Sequence, residues 1–171
     1  MNLPKDDPEV FERLVQWLYW KAFDLPPFVE GASHDAQIIF MHLARLYIAA
    51  DKYGIIDLKN SVMDRFHKAH ADRAGAPRFK VLDYVYRNTT AKAKLRAFLV
   101  ASYVWDVHLT WYESDYAQIS LCARPEFAAA VAMAMASRLG RNNKNPFSLG
   151  SSHFHEAVAD EEETKKTNGR A

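Results

Sequence analysis

Only one cysteine, Cys122, stands among the 171 residues, which excludes an intramolecular disulfide framework and a multi-cysteine zinc site. A reducing compartment, cytoplasm or nucleus, is the expected setting. With six glycines there is no Gly-rich phosphate loop. The longest uninterrupted apolar run, Phe127–Ala136, is ten residues, whereas a membrane helix needs roughly 20, so no membrane partner is expected. MNLPKDDPE at the N-terminus has no apolar stretch after its charges, and no signal peptide is expected there. No Asn-Gly or Asp-Gly turn joins two alternating segments, and no strand is predicted.

What the sequence has instead is helical periodicity. Leu43, Leu46, Tyr47, Ala50 and Tyr53 recur at helical spacing, and Leu58, Val62 and Phe66 continue at i, i+4 and i+8 beyond Gly54. Gly54 is placed to take the left-handed backbone that closes the first of these helices, and Asp57 to cap the second. Leu43–Phe66 therefore predicts a helix hairpin with a short corner. Upstream, Asp7 and Pro8 predict a cap and a first helical residue. Val10, Phe11, Leu14, Val15 and Leu18 then form the apolar stripe of a helix reaching Trp20.

Pro26 and Pro27 break the chain, and a polar connector is expected up to Asp35. The hairpin helices are predicted from Ala36 to Tyr53 and from Asp57 to Ala71. A short helix follows around Phe79–Tyr86, a fifth through Leu95–Trp105, and a last one from Pro125 to Leu139, closed by Gly140. The alanines of that last helix are expected to let a neighbour pack closely. Residues 106–122 mix aromatic and polar side chains without a clean period, and no element is predicted there. From Arg141 on, Asn, Ser and charge replace periodic apolar residues, ending in the block Asp160–Glu163, and a disordered tail is expected.

The formal net charge of +1 is unevenly spread. Residues 64–96 carry nine Lys and Arg against three Asp and Glu, and residues 1–63 carry six against nine. A basic run with Phe66, Phe79 and Tyr84 interleaved is of the kind that attracts an acidic protein or a nucleic acid. The near-neutral total and the lack of a recognised nucleic-acid motif favour a solvated face that balances the acidic first helix.

Few residues suggest chemistry. His67 and His70 lie three apart on one helix, a spacing that suits two metal ligands, but no third ligand is apparent and no metal site is predicted. Cys122 sits in SLCARPEF, which has no nucleophile signature, and reads as a buried or partly buried structural thiol. Tyr47, Asp51 and Tyr53 read as hairpin surface and core. No enzyme activity is expected.

Two stretches, Leu3–Tyr19 (LPKDDPEVFERLVQWLY) and Leu43–Val62 (LARLYIAADKYGIIDLKNSV), in this order and at this separation, resemble BTB/POZ domain proteins, particularly the fungal type. Val85–Thr89 and Leu95–Trp105 look like the helical extension common in the fungal members. The resemblance implies that the first stretch is the helix after a strand and the second the next helix pair. The sheet and helical hairpin that begin that fold would precede the point where this sequence starts, with Asn2 and Leu3 as the end of a strand. In that family this first half supplies most of the homodimer surface and part of the contact with cullin scaffolds. The family's usual Thr-Gly turn after the first helix is replaced here by Trp20-Lys21-Ala22.

The expectation is thus an all-α protein: the helical C-terminal half of a BTB/POZ fold over 1–73, a helical extension over 78–140 and a disordered tail over 141–171. The expected function is non-enzymatic protein–protein interaction as an adaptor or scaffold, without cofactor. The resemblance implies another BTB subunit or a cullin-type ubiquitin-ligase scaffold as partner. Trp17, Trp20 and Phe23 carry more aromatic surface than a lone helix leaves in water, and are the candidate contact residues. The alternatives are a truncated gene product without a function of its own and a nucleic-acid-binding helical protein using the basic region 65–96.

Overall fold

Residues 7–25, 33–140 and 144–157 are described by a computed structural model, and all their regular structure is helical. Helix α1 (Pro8–Trp20) starts as the sequence predicts, with the Glu9 N–H donating to Asp7 at 3.1 Å and Pro8 in the first turn. It ends on Lys21, a non-glycine residue at φ +52° whose N–H reaches the Trp17 carbonyl at 2.8 Å. A left-handed lysine costs about 1–2 kcal/mol. Its ammonium, 4.1 Å from the Trp17 ring centre, offsets part of that.

The predicted hairpin is formed by α2 (Ser33–Lys52) and α3 (Ile56–Ala69). Gly54 takes φ +68°. Beside it, the Ile55 N–H reaches the Ala50 carbonyl at 2.9 Å and the Gly54 N–H the Asp51 carbonyl at 3.2 Å, the paired bonds of a Schellman cap. Asp57 does not cap α3. Because these bonds already fix Ile55, the helix begins one residue before Asp57, which sits in the first turn against the positive end of the dipole.

Beyond α3 come a π-helical turn (His70–Ala74), a reversal at Gly75, α4 (Phe79–Asn88) and α5 (Lys94–Trp105). The stretch without a clean period holds two short helices, α6 (Leu109–Tyr112) and α7 (Asp115–Ala123). Caps rather than apolar stripes start them: the side chains of His108 and Ser114 accept N–H bonds from Thr110 and Ala117. Helix α8 spans Pro125–Gly140. No single helix among the described residues is long and apolar enough to cross a membrane; α7 and α8 pass only as a pair, and they meet at 109°.

Buried side chains form one cluster that runs from Val10 to Phe154 and crosses the connector at Gly75–Pro77. Its spine is a series of rings. Phe40 on α2 stacks on Phe66 of α3 at 5.6 Å, and Phe66 meets Phe98 of α5 at 5.5 Å. Phe154 closes the series 5.1 Å from Phe98. Helix α8 crosses α5 through Phe127, 4.9 Å from Tyr103, which its alanines permit.

Phe154 belongs to the segment expected to be disordered, and there the structure corrects the boundary. Residues 144–157 fold back over α3 and α5 through two 3-10 turns, Pro146–Leu149 and Ser151–Phe154, and Phe154 is 2% exposed. Two phenylalanines seven residues apart give no periodic signal, yet both cover Phe98. The rest of the tail, including Asp160–Glu163, and most of the connector after Pro26 lie outside the described residues.

Candidate protein-contact face

Helix α1 has two apolar sides. Val10, Leu14 and Trp17, spaced i, i+4 and i+7, enter the core. Phe11 and Leu18, also i and i+7, are 39% and 49% exposed, and the adjoining Tyr19 and Trp20 are 78% and 72% exposed. Tyr19 and Trp20 lie against each other with ring centres 6.1 Å apart. This run of apolar and aromatic surface, with no described residue covering it, is unusual for a lone helix in water.

The three candidate contact residues therefore part company. Trp20 stands on the outer face. Trp17 and Phe23 do not: they are 4% and 5% exposed, facing the hairpin, and the Arg65 guanidinium lies over the Phe23 ring. Trp17 continues the Val10–Leu14 stripe, whereas Trp20, the last residue of α1 and about 60° around the helix from Trp17, falls outside it. The Trp17 ring N–H is buried without a hydrogen-bond partner among the described residues. Sequence reasoning missed Phe11 and Leu18 as surface residues, since apolar positions on both sides of a helix leave open which side is covered.

A second constellation joins the hairpin to the refolded tail. The Tyr47 hydroxyl donates to Glu156 Oε1 at 2.8 Å, and Lys59 Nζ lies 3.0 Å from the same oxygen and 2.6 Å from Asp51 Oδ1. The Lys94 backbone N–H hydrogen-bonds the Glu156 carboxylate as well, so this group sits at the start of α5. Asn60 clamps the Glu156 backbone, accepting from its N–H at 2.8 Å and donating to its carbonyl at 3.2 Å. His155 pairs with Asp64 at 2.8 Å.

These groups resemble an acid/base set only by composition. Burial and the Glu156 carboxylate push the Tyr47 hydroxyl far above its usual range. Burial alone would raise Glu156, but the hydrogen bonds from Tyr47 and Lys59 outweigh it and hold the carboxyl below its usual value. Burial works against the Lys59 charge, but its bonds to Asp51 and Glu156 win and its pKa is raised. Each group is fixed in its ordinary protonation state at neutral pH, which suits an anchor for the tail rather than proton transfer.

The other residues singled out in the sequence are dispersed. His67 Nε2 lies 3.3 Å from the Phe147 carbonyl, and His70 stacks on the Phe147 ring at 4.1 Å with Nε2 2.9 Å from Asp106. No cluster of three or more His, Cys, Asp or Glu side chains suited to a metal occurs among the described residues. Cys122, expected to be at least partly buried, is exposed on α7. That short helix buries only Ala117 and Ser120.

The basic run is partly structural, and the acidic first helix finds its counter-charges elsewhere. Arg96 donates to the carbonyls of Tyr86 and Thr89 and stacks 4.2 Å from the Tyr86 ring centre, and Arg87 pairs with Asp83 at 3.0 Å. Asp7 pairs with Arg45 at 2.7 Å, and Glu9 with Arg13 one turn along its own helix at 3.6 Å. No protein-family model, curated protein or solved structure matches this chain.

Proposed function

We propose that the chain is a non-enzymatic protein-interaction protein, a BTB/POZ-like adaptor whose contact surface is the outer face of α1. One observation carries this reading: Phe11, Leu18, Tyr19 and Trp20 stand exposed on a helix whose opposite side is sealed into the core. Aromatic side chains bury a large area at small entropy cost, and they dominate the energetics of protein interfaces. The resemblance of Leu3–Tyr19 to the BTB helix gives the partner class, another BTB-type subunit or a cullin-type scaffold, inside the cell.

Calorimetric titration of the purified chain with a purified BTB domain, and separately with the N-terminal region of a cullin, tests the proposal. Saturable binding to one of them is expected, and a Leu18→Glu, Trp20→Ala double variant should lose it while keeping the wild-type circular dichroism spectrum. A folded chain that binds neither protein overturns the adaptor reading.

A further inference from the structure

On the far side of α5 from the hairpin lies a cavity of about 840 Å³, walled by α5, α8 and the refolded tail. It follows the chain from Ala91 into α5 and along that helix to Trp105. Eleven steps of helix between Lys94 and Trp105 make it roughly 17 Å long. Its floor is methyl groups: Ala97, Val100 and Ala101 from α5, and Ala130 and Ala134 from α8. Phe154 and Leu149 of the tail close one side.

The charges around it are one-sided. Lys92, Lys94, Arg96, Arg138 and Lys144 line the cavity against a single acid, Glu126, which has its own partner in Arg124 at 3.6 Å. None of the five cations is paired with a carboxylate among the described residues. Arg96 and Arg138 are held in place by backbone carbonyls and by the rings of Tyr86 and Trp105. Lys92 and Lys94 stand together where α5 begins, at the end opposite Trp105. Unpaired cations beside a low-dielectric wall focus a positive potential into the cleft.

We propose that this cavity binds a single-chain amphiphile, with an anionic head, carboxylate or phosphate, at Lys92 and Lys94 and an unbranched alkyl tail lying along α5 toward Trp105. The volume falls in the range of small-ligand sites, and an apolar floor with two lysines at one end matches such a ligand; at the other end the Arg138 guanidinium is already engaged by the Val104 carbonyl and the Trp105 ring. An extended peptide fits poorly. It would bring an amide every ~3.3 Å that needs a hydrogen-bond partner, and alanine and valine side chains offer none.

Dodecanoate and dodecyl phosphate, below their micelle concentrations, serve as probes, with dodecanol and dodecyltrimethylammonium as controls. Full-length protein is titrated by calorimetry while tryptophan fluorescence is followed, with a Trp105→Phe variant assigning the signal to the cavity. Saturable 1:1 binding of at least one anionic probe is expected, accompanied by a fluorescence change that Trp105→Phe removes. Lys92→Glu with Lys94→Glu should weaken it about tenfold or more, because both charges reverse at the head group. Ala130→Phe, which fills the tail channel without touching the lysines, should weaken every anionic probe that binds the wild-type protein. Dodecanoate alone binding assigns a carboxylate head, and dodecyl phosphate alone a phosphate head. Equal binding of the alcohol or the ammonium control overturns the proposal, as do unchanged affinity in the lysine variant and the absence of saturable binding by either anion.

Discussion

Tyr47 and Glu156, 109 residues apart, meet at 2.8 Å where the helix hairpin receives the chain's last described turn. The bond spans nearly the whole fold. It is made by a hydroxyl on a side chain with no exposed surface and a carboxylate that also serves Lys59 and the start of α5. Replacing Tyr47 with Phe keeps the ring in the core and deletes the donor. The expected cost is about 1–3 kcal/mol, because a half-buried carboxylate loses one of its partners. Hydrogen exchange should rise selectively in residues 144–157; exchange rising equally in α2 and α3 would mean that the bond supports the hairpin rather than the tail.

The same cluster sets a pH dependence at both extremes. Glu156 is depressed in the folded protein, so its contribution is present above the ordinary carboxylate range and is lost as pH falls through the lowered value. Tyr47 and Lys59 are raised, so their contributions are complete below their ordinary values near 10 and 10.5 and are lost as pH rises beyond them. Thermal unfolding across pH 3–11 should show a plateau with a fall on either side. In a Glu156→Gln variant the acid fall should shrink.

In the ring series, Phe66 touches both Phe40 and Phe98. Phe66→Ala should destabilise the protein by about 3–5 kcal/mol, the usual range for emptying a fully buried phenylalanine site. Denaturant titration measures it. A cost below about 1 kcal/mol would show that the helices collapse into the space.

Gly54→Ala isolates backbone strain from packing. No atom lies within 4 Å of where the new methyl group would sit, yet φ is +68°. The expected loss is about 1–2 kcal/mol with an unchanged fold. A neutral effect would mean that the hairpin corner relaxes.

The hairpin, α1 and its Asp7 cap were legible in the sequence because they rest on local chemistry: apolar spacing, a proline at the first turn, a glycine at the corner. Helices α6 and α7 were hidden because caps start them and few of their side chains are buried. The return of residues 144–157 was illegible for a different reason. Phe154, Glu156 and Asn60 gain meaning only when distant parts of the chain meet, and no local pattern records that. The exposed face of α1 was half legible: aromatics marked the helix, but the choice between Trp17 and Trp20 waited on which side the hairpin covers.

The most direct measurement compares two exposed apolar surfaces in the same titration. The BTB domain and the cullin region proposed as partners are each titrated against the wild-type chain, against Leu18→Glu, Trp20→Ala on α1 and against Met133→Ser, Leu139→Ser on α8. Met133 and Leu139 are 74% and 89% exposed, as open as the α1 residues. The contact assignment predicts affinity at least about tenfold weaker for the α1 variant, the scale of a lost interface anchor, and unchanged for the α8 variant. Equal losses in the two variants, or a loss only on α8, would contradict it.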